Sequence, residues 1–305
     1  MSKNICENRV ITVIHSFFKF KIRDIKENFM FFDKPFQSTI KMRLFKAPWI
    51  FHLRDMRTIE IKSKDDLFRQ RFKFLHSDSY THDSVIKKGS NLKVVKFPLS
   101  DNGDIYRAFV LEDYSWLPVN DRIVVDIGAG IGDSSIYFAL RGAKHVYGFE
   151  PFPQTFQMGL NNIASNGYSD VITVFNKGVG IGSKVNLDQN FKPTNSSAIS
   201  NHLSKTGVTV DLITLHEILK TINSDNVILK MDCEGCEYDS ILTEDCNTLR
   251  KFSYIQMEYH KGYKNIKEKL ETCGFTVTYE KPVRMKSRDN GGYLYLGYLR
   301  AQRQD

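Results

Sequence analysis

The sequence predicts a doubly wound α/β fold on a mostly parallel sheet, and three observations predict it. From residue 104 onward, short apolar runs ending in acids alternate with segments of helical spacing. One run turns through alternating glycines into a helix: Val124-Val125-Asp126-Ile127-Gly128-Ala129-Gly130-Ile131-Gly132-Asp133. The last two apolar runs flank a long turn at Asp289-Asn290-Gly291-Gly292, which suits an antiparallel edge.

The elements follow in order. Residues 122–127 read as a buried strand and 133–140 as a helix with an N-cap and apolar spacing. A second strand, 145–149, leads to helix 154–166 and a third strand, 171–175. Residues 178–211, rich in Gly, Ser, Thr and Asn, read as a hairpin insertion and candidate substrate lid. Helix 215–221 precedes strand 226–231, and helix 238–249 precedes strand 252–257. Helix 263–273 runs to Gly274, and strands 275–279 and 293–299 close the sheet.

Ahead of this pattern the chain is different. Residues 49–61 and 92–110 have β character and 62–77 helical character, a small α+β extension. Its boundary is placed near Ser100-Asp101-Asn102-Gly103, so the second β-like stretch runs across it. Residues 1–100 are therefore read as a basic, aromatic-rich extension, and 101–305 as the catalytic domain.

Composition narrows the partners. The 305 residues are 41% hydrophobic and 12% aromatic, ample for a globular core. Residues 1–100 hold 21 Lys and Arg against 10 Asp and Glu, whereas the remainder holds 22 against 25, so the +8 charge is entirely N-terminal. That basicity, with Phe17, Phe18, Trp49 and Phe51 among others, allows nucleic-acid or peripheral membrane contact, with a solvated subdomain face as the plainer reading. The apolar stretch 10–18 is too short to span a bilayer and no cleavage site follows it, so the expected location is cytoplasmic. Cys6, Cys233, Cys236, Cys246 and Cys273 are odd in number and irregularly spaced, which argues against a disulfide framework. Cys233 and Cys236 lack the second pair of a zinc ribbon and read as small residues packed behind a strand end.

The glycine turn is where a nucleoside would bind. Glycine permits φ > 0 there, and no Cβ holds a ligand off the backbone. The pattern is D-x-G-x-G-x-G rather than the dinucleotide G-x-G-x-x-G, with Asp126 two residues before Gly128. An acid at that point repels a pyrophosphate and can neutralise the ammonium of S-adenosylmethionine, directly or through water. Glu150 ends the second strand, where it can accept from both ribose hydroxyls.

A second cluster, Lys230-Met231-Asp232-Cys233-Glu234-Gly235-Cys236-Glu237, lies at the carboxyl end of a strand, the ligand-binding end of such sheets. Glu258-Tyr259-His260 ends the neighbouring strand. In-line methyl transfer needs an aligned nucleophile and a proton acceptor. Asp232 or His260 can supply the base, with Glu258 orienting the histidine or the acceptor hydroxyl. The same three residues could instead hold a divalent metal, although no metal is assigned.

These motifs together resemble the FkbM-type S-adenosylmethionine-dependent methyltransferases over about residues 105 to 300. The resemblance rests on V-V-D-I-G-A-G-I-G-D, V-Y-G-F-E-P-F-P, the Asn162 and Asn166 spacing, L-K-M-D-C-E-G-C-E-Y and E-Y-H. It implies a Rossmann-like class I methyltransferase fold, a seven-stranded sheet with its last strand antiparallel, and O-methylation of a hydroxyl on a sugar, lipid-linked or other small molecule. It supports Asp126, Gly128, Gly130 and Glu150, with Ala129 and Pro151 beside them, as cofactor contacts, and Asp232 as an active-site acid. Gly130 stands where the family commonly has Asn, and Cys236 where a small apolar residue is usual. Rival readings are a nucleic-acid methyltransferase using the basic extension, a non-catalytic S-adenosylmethionine-binding protein and, last, a nicotinamide oxidoreductase. The first lacks the Asn-Pro-Pro-Tyr-type sequence, since Asp232-Cys233-Glu234-Gly235 stands in its place.

Overall fold

The computed structural model describes residues 32–52, 58–62, 80–81, 94–95, 97, 104–109, 112–188, 203, 205, 207–286 and 293–304. The chain falls into two compact units, Met1–Ser77 and Asp78–Asp305. In the first, helix α1 (Pro35–Leu44) precedes a hairpin of β1 (Trp49–His52) and β2 (Thr58–Ile61). Phe32, Trp49, Phe51 and Ile61 form its buried cluster. Of the helix expected over 62–77 all but residue 62, and the whole stretch 10–18, lie outside the described residues.

The second unit opens on the two-residue strands β3 (Tyr80–Thr81) and β4 (Val94–Val95), then helix α2 (Asp104–Phe109). Strand character was expected through 92–110, so α2 is a correction. Ile105, Ala108 and Phe109 recur at helical spacing and all three are buried, so packing on one face outweighed local β propensity.

The central sheet then assembles from β5 (Ile123–Ile127), β6 (His145–Phe149), β7 (Ile172–Phe175), β11 (Val227–Met231), β12 (Phe252–Tyr259), β13 (Phe275–Tyr279) and β15 (Tyr293–Arg303). Their order is β13-β15-β12-β11-β5-β6-β7, with β15 antiparallel to both neighbours and the others paired in parallel. This is the class I arrangement. Strand β14 (Val283–Lys286) pairs with the early part of β15 and extends the edge. The turn expected at residues 289–292 lies outside the described residues.

Period-two alternation explains why helices cover both faces. Val125, Ile127, Leu229, Met231, Ile255 and Met257 face one core with α5 (Leu215–Ile222), α6 (Cys236–Leu242) and α8 (Lys264–Thr272). Val124, Val146, Ile172 and Ile228 face the other with α2, α3 (Asp133–Leu140) and α4 (Pro153–Ser165). Each fully buried large apolar side chain contributes roughly 1.5–3 kcal/mol.

The insertion forms its own sheet, in which β10 (Val208–Ile213) pairs in parallel with β8 (Lys177–Val179) and antiparallel with β9 (Lys184–Leu187). Most of its tip is outside the described residues. The single helix expected over 238–249 is instead α6 and α7 (Cys246–Leu249), because the Asp245 side chain accepts from the amides of Asn247 and Thr248 and starts a new helix.

The cysteines also depart from expectation. Cys233 is bonded to Cys236 and Cys246 to Cys273. Their Cα atoms are 5.5 Å and 5.0 Å apart, within bridging range. Sequence spacing did not show the second pair because folding, rather than the chain, brings the start of α7 to the end of α8.

Candidate active site

The site begins where β5 ends. Gly128 and Ala129 donate their amides to the Phe149 carbonyl, which draws the turn against β6. Gly128, Gly130 and Gly132 all have positive φ, at 73°, 52° and 84°. A Cβ on Gly128 would lie 1.9 Å from the Asp232 carbonyl oxygen, so this glycine is required by the close approach of the β11 end. A Cβ on Gly130 would meet only the Asp133 carboxylate, at 3.8 Å. Gly130 is thus the glycine that fronts open space. Ala129 is buried behind it.

Asp126 is not placed for the role expected of it. Its carboxylate is fully buried and lies 2.9 Å from the Lys230 Nζ, with Ser134 and Ser135 hydroxyls donating at 2.7 Å. Lys230 in turn donates to the carbonyls of Gly128 and Ile127. Burial opposes the charge on Lys230, yet Asp126 and Asp232 outweigh it and hold its pKa above the ordinary value. Asp126 and Lys230 are register partners across β5 and β11. The acid therefore anchors the turn from behind through an internal cation, which leaves it no exposed oxygen for a ligand's ammonium.

Glu150 is buried at the end of β6, accepting from the Gly130 amide and the Phe152 amide, both at 3.0 Å. Burial pushes its pKa up to about 7 against the opposing effect of those two amides. The Asn176 side chain donates to the carbonyls of Glu150 and Pro151, which fixes the chain at this strand end. Glu150 and Gly130 thus form one wall of the turn, with Pro151 alongside.

The opposite wall carries Asp232, half-buried just beyond β11, its amide donating to the Ile127 carbonyl. Burial, then the neighbouring charge of Glu258, pushes the Asp232 carboxyl well above the usual range despite Lys230, Arg107 and His260. Asp232 and Glu258 are thus brought together as expected. Glu258, however, is engaged: its carboxylate lies 2.7 Å from Arg107, which also pairs with Asp113 at 3.0 Å and donates to the Tyr298 hydroxyl.

His260 is buried between two carboxylates, its Nε2 3.2 Å from Glu234 and its Nδ1 3.4 Å from Glu237. Burial alone would disfavour its charge, but Glu234 and Glu237 outweigh that and raise its pKa to about 11. A doubly protonated ring has no lone pair to accept a proton, so His260 in this state does not meet the expectation of a base. Asp232 is the remaining candidate base, half-buried beyond β11 and accepting from the Tyr114 hydroxyl at 3.5 Å.

Sequence reasoning missed Arg107, Asp113 and Tyr298. Arg107 lies 151 residues from Glu258 with no pattern linking them, whereas Tyr298 meets Glu258 as its cross-strand partner. The Lys230 ion pair was detectable, because a lysine inside an apolar strand implies a buried counter-charge.

Residues 126–277 match the family model described as the methyltransferase FkbM domain. Protein arginine N-methyltransferase 1 of Oryza sativa subsp. indica is 34% identical over 101 residues, covering 32% of this chain and 22% of that protein. Probable protein arginine N-methyltransferase 1.2 of Arabidopsis thaliana is 38% identical over 97 residues, covering 32% and 24%. The matched segment is therefore less than a quarter of either relative. Among solved structures, M. capricolum TrmK in complex with S-adenosyl-homocysteine shares 14% identity at a TM-score of 0.37, covering 63% of this chain and 67% of that one. An rRNA methylase from Streptococcus thermophilus shares 12% at a TM-score of 0.38, covering 65% and 96%.

Proposed function

Since residues 126–277 are a methyltransferase FkbM domain and the cofactor is S-adenosylmethionine, we propose that the protein O-methylates a hydroxyl of a small-molecule acceptor, carbohydrate or lipid-linked. The observation that carries this reading is the position of Asp232. Its backbone carbonyl packs on Gly128 and its half-buried side chain stands just beyond β11, so one residue would join the cofactor turn to the acceptor side.

The residues around the turn suit the cofactor. Glu150 is a buried acceptor at the end of β6, and Gly130 keeps the turn free of a side chain where an adenosine would lie. We assign Gly128, Ala129, Gly130, Glu150 and Pro151 to the cofactor and give Asp126 the task of holding the turn through Lys230. When bound, S-adenosylmethionine supplies an electrophilic methyl group on a sulfonium.

The chain's own residues do the rest. Asp232 accepts the acceptor hydroxyl's proton as the oxygen becomes the nucleophile, and the burial that raises its pKa makes its carboxylate a stronger base than that of an exposed aspartate. Glu258 is held by Arg107, which also donates to the Tyr298 hydroxyl, and this fixes the strand end near Asp232. His260 bridges Glu234 and Glu237 and so fixes the loop that follows Asp232.

A second reading is a basic nitrogen acceptor, since Asp232 and Glu234 together favour a cation and the similar plant proteins are named arginine N-methyltransferases. One experiment separates the two. The chain is incubated with methyl-labelled S-adenosylmethionine and an extract of its source cells, and the labelled atom is identified. Label in O-methyl groups of sugars or lipids supports the proposal. Label on protein arginine or nucleic acid overturns it.

A further inference from the structure

Among the described residues, Asp232, Glu234 and His260 each offer one ligand atom, and these atoms lie within 4.8 Å of one another. We infer that this trio is a binding site for one divalent cation of the Mn2+ class. The sequence pattern had grouped Glu258 with Asp232 and His260, but Glu258 is taken by Arg107, and Glu234 occupies the third position instead.

The geometry suits an ion. With metal–oxygen and metal–nitrogen distances of about 2.1 Å, neighbouring ligand atoms around an octahedral ion sit about 3 Å apart. The His260 Nε2 and the nearest Glu234 oxygen are 3.2 Å apart. One imidazole with two carboxylates favours Mn2+ over Mg2+, which prefers oxygen alone, and over thiolate-seeking metals.

A second observation lies behind the ring. Glu237 is fully buried, with one oxygen 3.4 Å from His260 Nδ1 and the other lacking a hydrogen-bond partner. A carboxylate on the far nitrogen of a histidine is the usual outer partner of a metal ligand, fixing the ring and its tautomer. The Glu237 oxygen nearest Nδ1 accepts from the Cys233 amide, which sets this carboxylate between the ring and the loop that carries Glu234. That loop is clamped by the Cys233–Cys236 bond, and Glu234 holds a φ of 59° within it. The third group is thus set by backbone and cross-link rather than left to a free side chain.

Charge points the same way. Lys230 is matched by Asp126, and Arg107 by Asp113 and Glu258. Asp232, Glu234 and Glu237 stand around a single histidine, and a divalent cation would bring positive charge among these three acids. In this arrangement the ion takes the place of the Nε2 proton. Three protein ligands leave open positions, and an acceptor hydroxyl oxygen on one of them would ionise more easily. That role rests on the O-methyl transfer reading, whereas the presence of the ion does not.

The test is Mn2+ binding to the chelator-treated full chain, followed by the loss of the free-ion paramagnetic resonance signal with no methyl donor present. The expected result is one Mn2+ per chain, with Glu234→Gln and His260→Gln each weakening it by about tenfold or more, and exposed Glu268→Gln leaving it unchanged. If His260→Gln fails to fold by circular dichroism, Glu234→Gln decides alone, since the Glu234 side chain is 31% exposed. No binding at millimolar Mn2+, or binding unaltered in Glu234→Gln, overturns the site. Because methyl transfer is not read, that failure is distinct from a failure of the O-methyl transfer reading.

Discussion

Lys230 and Asp126 form a buried ion pair, 2.9 Å apart, and the same ammonium donates to the carbonyl of Gly128. Two adjacent strands thus meet the glycine turn at one charge. The arrangement explains why an acid precedes the glycines: it compensates a lysine that grips the turn.

Lys230→Met should therefore destabilise the fold by about 3–5 kcal/mol, because it leaves the Asp126 carboxylate buried without its partner. The double variant Lys230→Met with Asp126→Asn should recover part of the loss. Denaturant unfolding of the three chains checks this, and equal stabilities would contradict it.

Gly128 and Gly130 should respond oppositely to substitution. Gly128→Ala places a Cβ against the Asp232 carbonyl in addition to about 1–3 kcal/mol of backbone strain, and should abolish S-adenosylhomocysteine binding. Gly130→Asn meets open space at a φ that asparagine tolerates, and should keep or improve binding. Isothermal titration of both variants is the measurement.

Glu150 makes stability and ligand affinity depend on pH in opposite directions. Its folded pKa is about 7 against 4.5 for the free side chain, so the folded state holds the extra proton between those values. Stability is greatest below about 4.5 and falls as pH rises through about 7, a penalty on the order of 3 kcal/mol from this group. Ribose hydroxyls donate to the ionised form, so S-adenosylhomocysteine should bind up to about tenfold more tightly at pH 8 than at pH 6. Glu150→Gln should flatten both profiles.

The Cys246–Cys273 bond joins residues 27 apart and, on loop-closure entropy, contributes about 3–4 kcal/mol. Replacing both cysteines with serine should lower the unfolding midpoint accordingly, as read by denaturant titration of the oxidised chain.

The fold was legible because its core strands are short, apolar and closed by acids or glycines. Helix 133–140 and strands 145–149 and 275–279 have the limits expected of them. The site was legible only along the chain. Glu150 and Asp232 show themselves at strand ends, but Asp126 is turned inward by a lysine 104 residues away, a relation set by register between β5 and β11. Arg107 is more remote still, since its helix carries no motif and gains meaning only against Glu258 and Tyr298. His260 lies just beyond β12, and its charge state depends on two glutamates that sequence spacing places in a separate motif.

The most direct test of the account is the methyl-transfer rate of Asp232→Asn beside its affinity for S-adenosylhomocysteine, measured on the acceptor found by label transfer. The account predicts a loss of about 10²–10⁴-fold in kcat/KM with cofactor affinity unchanged. Transfer at the wild-type rate would contradict it, and so would a loss of cofactor binding that matches the loss of rate.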